Sequence, residues 1–469
     1  VAMTVRHSGG GSTAAASSGA DISGGGGGKG KLSFKSAVMV VQATKELKRK
    51  SSLAKKMDKC RDARGRSHDI AELRARRHAA VNKGMAWLSK FLQKDKCSAL
   101  YSVGDDAPSV FFEIWYTSAN SQIRNSAKGI AKKLLSKYEK KLVGGEWGGG
   151  GVDQFFECMF VLRCKHEMEM DTADLIAKAD QLWKGNGLRD TNLLFGVHGV
   201  EGLANVSVND WLLLLMRIMC MEFIKLILRN RYPMQWGLRE ALLALRKVPL
   251  QPPPIDDNDE EAREEFHHAF YLATHIVYAI GAYSSIKTTE SDVPWLYKYC
   301  KNCLKFWVKR ARRKAKAGGH EGEGKDIYVD VDGIAECCDV VRGLGLTEAT
   351  DPWLCEASIW LCDHQRKNGS WPVWFAEDPD GSNAGVYDKL HPSWVATQCL
   401  RDRDFEVGYT RPGNALWKVF MAKLLKDTNF ATIEYKISYK KGTAGMGNSP
   451  GTASPEGASG ENAEDEGDK

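Results

Sequence analysis

Asp330-Val331-Asp332-Gly333-Ile334-Ala335-Glu336-Cys337-Cys338-Asp339, running on into Arg342-Gly343-Leu344-Gly345, is the stretch that decides the fold. It starts on a polar residue and continues with small and apolar residues at helical spacing. The same design occurs twice more. His267-His268-Ala269-Phe270-Tyr271-Leu272-Ala273-Thr274-His275 leads into Ile280-Gly281-Ala282-Tyr283, and His391-Pro392-Ser393-Trp394-Val395-Ala396-Thr397-Gln398-Cys399-Leu400 closes the series. Anchored at His268, Asp330 and His391, the copies stand 62 and 61 residues apart. That period holds one helical hairpin per copy. After the first two copies, Pro294-Trp295-Leu296 and Pro352-Trp353-Leu354 open a further helix.

Outward from this repeat, nearly the whole body reads as helix. Apolar residues recur at three- and four-residue steps, as in Leu175, Ala179, Leu182 and in Tyr297, Cys300, Leu304, Trp307. Strand-type alternation is confined to Thr432–Ile437. Trp211 to Leu228 is the most apolar run, but Arg217, Glu222 and Lys225 interrupt it, so it reads as a buried helix and not a membrane span. The ends differ in composition. Residues 1–36 form a Gly/Ser-rich tail that cannot bury enough apolar surface to offset chain entropy, and 436–469 an acidic tail; both are expected to be disordered. Between them, 37–78 reads as a basic helical segment and 79–435 as the folded domain. The chain of 469 residues carries a net charge of +7, concentrated in segments 45–78 and 309–316. Those runs fit solvated helix ends, or contacts with an anionic partner. Twelve irregularly spaced cysteines fit reduced thiols in an intracellular, cytoplasmic setting, and the pair Cys300 and Cys303 reads as buried thiols. The composition of 1–36 also suits an organelle transit segment.

Residues 330–400 carry a resemblance. Gln365-Arg366-Lys367-Asn368-Gly369-Ser370-Trp371 resembles the Gln-Trp motif of terpenoid cyclases. Asp332, then Gln365 and Gly369, then Asp378-Pro379 and Tyr387-Asp388-Lys389-Leu390-His391 follow the order seen in protein prenyltransferase β-subunits. The resemblance implies an all-α fold, an α/α toroid, in which helical hairpins close into a ring. From the prenyltransferases it implies zinc held by Asp332, His391 and a thiol. Ile334 stands where that family has Cys, so Cys337 or Glu336 would have to serve. From the cyclases it implies a proton-donating acid, for which Asp330-Val331-Asp332-Gly333 has two of three carboxylates. Arg342 is the one candidate for a diphosphate. The acidic run Asp256 to Glu261 reads equally well as a solvated loop and helix start.

The repeat itself places His268, Asp330 and His391 at equal heights on the ring lining, with His275, Cys337 and Gln398 two turns deeper. His267 would point elsewhere. Aromatic residues near this lining include Phe270, Tyr271, Tyr278, Trp374 and Trp394. The expected function is a cyclase- or transferase-like enzyme acting on a largely apolar small molecule. His268, His275, Asp330, Asp332 and His391 would serve as its catalytic group, and Asp332, Cys337 and His391 as the metal ligands if zinc is bound. The alternative is a non-catalytic helical scaffold of the same fold.

Overall fold

The computed structural model describes residues 59–145, 151–185, 187–254, 259–317, 329–372 and 385–433. They are mostly helical. Helices of eight or more residues are α1 (Ile70–Gln93), α2 (Asp106–Thr117), α3 (Ser121–Val143), α4 (Gly151–Glu167), α5 (Ala173–Gly185), α6 (Asp210–Ile227), α7 (Leu238–Leu245), α8 (Glu260–Ile280), α9 (Pro294–Ala317), α10 (Val331–Gly343), α11 (Pro352–Asp363), α12 (Val386–Cys399) and α13 (Pro412–Asp427). One short antiparallel hairpin, β1 (Lys59–Arg61) with β2 (Ser67–Asp69), precedes α1. The tails expected over 1–36 and 436–469 lie outside the described residues, as do Trp374 and most of the strand expected over Thr432–Ile437. Thr432 itself ends a 3-10 turn.

Helix starts follow local chemistry. Asp330 caps α10 by accepting from the Asp332 amide at 2.9 Å. Asp259 caps α8 in the same way. Asp351 caps α11 and Pro352 occupies its first turn, where no amide hydrogen is needed. The Pro-Trp-Leu segments thus open α9 and α11 as the sequence predicts. The Gln-Trp motif acts as a staple. Gln365 Nε2 donates to the Ala80 carbonyl of α1 at 2.9 Å, and buried Trp371 donates to the Leu361 carbonyl at the end of α11. Gly333 brings α10 against α9, because a Cβ there would meet Trp307 at 2.8 Å.

The even-numbered helices α2, α4, α6, α8, α10 and α12 pack each on the next, and α12 also packs on α2. The odd-numbered helices back them: α3 lies on α2 and α4, α9 on α8 and α10, α11 on α10, and α1 on α12. One continuous core fills the space between, with Trp211, Trp417, Tyr138 and Phe155 fully buried. The 59–78 part of the expected basic segment belongs to this body. Its hairpin sets Cys60 Sγ 2.8 Å from Cys355 Sγ on α11. Among the described residues, no helix is long and apolar enough to cross a membrane; α6 is the buried helix expected from its interrupted apolar run.

Candidate functional site

A cavity of about 580 Å³ opens between the even-numbered helices, and all six contribute to its wall. The wall has two characters. Phe160 of α4 and Leu212, Leu213 and Met216 of α6 make an apolar side. Carboxyl, imidazole and phenol groups from α2, α8, α10 and α12 make the other. Eight Asp or Glu residues line the cavity, and none of the lining residues is Lys or Arg. Several of these carboxylates, Asp106, Asp332 and Asp388 among them, sit in the first turn of their helices, where the positive end of the peptide dipoles offsets their charge.

Helical phase decides which residues of α8 face inward. His267, Tyr271, His275 and Tyr278 follow one another at steps of four, four and three, and all line the wall. His268 lies about 100° round the helix from His267 and is not among the lining residues. The sequence reading therefore exchanges these two histidines: His267 faces the cavity, with Nε2 3.6 Å from Asp330 Oδ2. On α10 the same rule selects Asp332, Glu336 and Asp339. Cys337, one residue on, turns into the core and is fully buried. On α12 it selects Tyr387, His391, Trp394 and Gln398.

The centre of the polar wall is a connected group. His391 Nδ1 lies 3.1 Å from Asp332 Oδ2. The Tyr271 hydroxyl reaches Asp332 Oδ2 at 2.7 Å and Asp330 Oδ2 at 3.1 Å. His275 Nδ1 is 2.8 Å from the Tyr271 carbonyl. The His391 ring stacks on Tyr387 and meets the edge of Trp394. Asp332 Oδ1 is buried without a hydrogen-bond partner among the described residues.

Electrostatics split this group by protonation state. Burial opposes charge on both members of the His391–Asp332 pair, but each stabilises the other. Burial would lower His391, yet the Asp332 carboxylate brings it up to about 9. Burial would raise Asp332, yet the His391 cation holds it below the ordinary carboxylate range. Glu336, one turn along α10, is pushed well above that range by burial and by the Asp332 charge. The local geometry agrees with a neutral Glu336. Thr274 Oγ1 lies 2.6 Å from Glu336 Oε2 and 2.7 Å from the Tyr271 carbonyl. A carbonyl only accepts, so the single Thr274 proton can serve it only if Glu336 carries the proton of the other bond. Deeper in the cavity, burial pushes Glu113 up to about 8, and its Oε2 accepts from Gln398 Nε2 at 2.7 Å. Burial also lowers His275 to about 4, so it stays neutral.

The zinc set Asp332, Cys337 and His391 does not assemble. Burial, with Cys303 and Cys300 close by, pushes the Cys337 thiol well above its ordinary value, and a thiol is no zinc ligand until it loses its proton. Glu336 stands in its place, and Asp332, Glu336 and His391 bring one donor atom each within 4.8 Å of one another. Arg342, the diphosphate candidate, is also turned away. It is buried behind the wall, held by Glu348 and by Ser358 at 2.8 Å. The basic segments are similarly engaged where they are described: Arg74 with Asp402, Arg76 with Asp363, Arg77 with Glu348 and Asp402, and Arg312 with Glu356. The acidic run keeps only structural roles in its described part, where Asp259 caps α8.

Sequence reasoning missed Glu113, Asp105, Asp106 and Tyr271 as polar lining. The first three lie outside the 61–62-residue repeat that directed attention to α8, α10 and α12. Comparison of the chain with family models, curated proteins and solved structures yields no match.

Proposed function

We propose that the cavity is the active site of an enzyme that moves protons, built on an α/α toroid of the terpenoid-cyclase and prenyltransferase kind. Glu336 is its neutral acid and Asp332 its ionised base, with His391 holding that base ionised. The observation that carries this reading is the pair of carboxyls one turn apart on α10, driven to opposite protonation states at the wall of one cavity. Enzymes assign acid and base roles by separating the acidities of neighbouring groups in this way. Tyr271 orients Asp332 through its hydroxyl. The apolar wall on α4 and α6 suits a substrate whose body is largely hydrocarbon. Support for the toroid is the order of packing, in which α12 returns to α2 and the even-numbered helices share the cavity.

The scaffold reading has one observation in its favour. Much of the polar wall is bonded to itself, as in Tyr271 with Asp330 and Asp332, or Glu113 with Gln398. Turnover separates the two. Incubation with a small-molecule extract in D₂O should let the native protein alter the mass of at least one compound, by reaction or by deuterium uptake. Glu336→Gln and Asp332→Asn should both abolish that change. No change with native protein, or an undiminished change with both variants, would leave the scaffold.

A further inference from the structure

The two-sided wall says what charge the ligand carries. A cavity that binds an anion such as a diphosphate needs arginine, lysine or several free amides facing it. Here the cations nearest the cavity are spent elsewhere. Arg401 and Arg403 both hold Asp339, and Arg401 also donates to Thr117 Oγ1 at 2.7 Å. Arg163 lies under the rings of Phe112, Phe223 and Tyr283, with its guanidinium at the Ala282 carbonyl. Arg342 is held by Glu348.

What does face the cavity is acidic and aromatic. Asp332 is only 8% exposed, and its Oδ1 has no hydrogen-bond partner among the described residues although it lies on the wall. An unpaired buried carboxylate oxygen costs free energy that a ligand cation would recover. Tyr387 and Trp394 flank His391 and present ring surface beside it, and ring faces attract cations. Opposite stand Leu212, Leu213, Met216 and Phe160, which would hold an uncharged hydrocarbon chain. The volume is that of a site for a small molecule.

We infer that this cavity binds an organic cation with an apolar body, an amine or quaternary ammonium, whose charged head sits between Asp332 and the Tyr387–Trp394 rings and whose body lies on the α4–α6 wall. The inference rests on the proposed active site and names the chemistry of what enters it.

Calorimetric titration of the full chain with n-hexyltrimethylammonium and with n-hexyl phosphate, at equal ionic strength, tests it. The ammonium should bind one to one and the phosphate roughly tenfold or more weakly, as expected when only one sign of charge meets an opposite partner. Asp332→Asn should weaken the ammonium by a similar factor, while Asp363→Asn, which removes an exposed carboxylate paired with Arg76, should leave it unchanged. Leu213 is 57% exposed at the mouth, so Leu213→Lys should fold normally and place a repelling charge there, again weakening the ammonium. Equal or tighter phosphate binding, no binding of either probe, or ammonium binding indifferent to both Asp332→Asn and Leu213→Lys would overturn the inference. The turnover assay reads a different event. Ammonium binding without Glu336-dependent turnover upholds the ligand class while removing the proton-transfer reading. Turnover with no ammonium binding upholds that reading and removes the ligand class.

Discussion

Helix α10 has buried charge on two sides, and the two sides are built differently. Behind the cavity wall, Glu348 accepts from Arg342 and from Arg77 at 2.7 Å, and Ser358 Oγ donates to it at 3.1 Å. Burial would raise Glu348, but the two guanidinium groups hold it down at about 2. On the cavity side, Glu336 and Glu113 have no guanidinium bonded to them among the described residues, and burial raises both. The lesson is that burial alone does not decide whether a carboxyl is charged. Where a fold needs a buried ion for its own integrity it supplies the counter-charge; where it leaves the counter-charge out, the group is neutral and free to give a proton.

The largest test of this contrast is to neutralise one carboxyl on each side. Glu348→Gln leaves Arg77 and Arg342 buried against each other, and breaking a buried pair in that way costs about 3–5 kcal/mol. Glu336→Gln replaces a neutral acid by a neutral amide that keeps an oxygen toward Thr274, and should change stability by about 1 kcal/mol or less. Denaturant unfolding of both variants reads the difference, and equal losses would erase the distinction drawn here.

The His391–Asp332 pair lies between these extremes, being charged, paired and on the wall. His391 rises from 6.5 to about 9 on folding, so its contribution is fully present below pH 6.5 and lost as pH climbs through 9. Asp332 is lowered, so its contribution is present above its ordinary value of 3.8 and lost as pH falls through its folded value. His391→Asn should therefore cost most between about pH 4 and 6.5, by about 1.5–3 kcal/mol, the range for a hydrogen bond to a charged group. A cost independent of pH would mean that the ring only fills space.

How much of this was legible in the sequence follows from geometry. The helical period, the acidic caps at Asp259, Asp330 and Asp351 and the Pro-Trp-Leu starts are local signals, and local chemistry decides them. The repeat also put Asp330, His391, His275 and Gln398 on one wall correctly, because steps near sixty-one residues return to equivalent helices. It failed at His268 and Cys337 because a face is only about 100° per residue wide, and a one-residue error exchanges His267 for His268 and Glu336 for Cys337. Glu113 was out of reach: nothing local marks a carboxyl on α2 as the neighbour of Gln398, 285 residues away.

A smaller effect is expected at Glu113. Its carboxyl rises to about 8 on folding, so the folded state loses stability as pH rises from 4.5 through 8. Glu113→Gln should remove that loss, leaving a protein about 1 kcal/mol more stable than the native chain at alkaline pH and indistinguishable from it in mild acid. Glu348 behaves oppositely, contributing above pH 4.5 and losing its contribution as pH falls toward 2. Thermal unfolding across pH should thus show the two sides of α10 failing at opposite ends of the scale. A gain for Glu113→Gln that grew toward acid would contradict the assignment.

The protonation state of Glu336 can be observed directly. Infrared difference spectra between the native protein and Glu336→Gln, recorded at neutral pH, should contain the carbonyl stretch of a protonated carboxyl in the native protein that is missing from the variant. If the spectra instead show only the loss of ionised carboxylate bands, Glu336 is charged in the resting protein, and the division of α10 into a paired side and a proton-donating side does not hold.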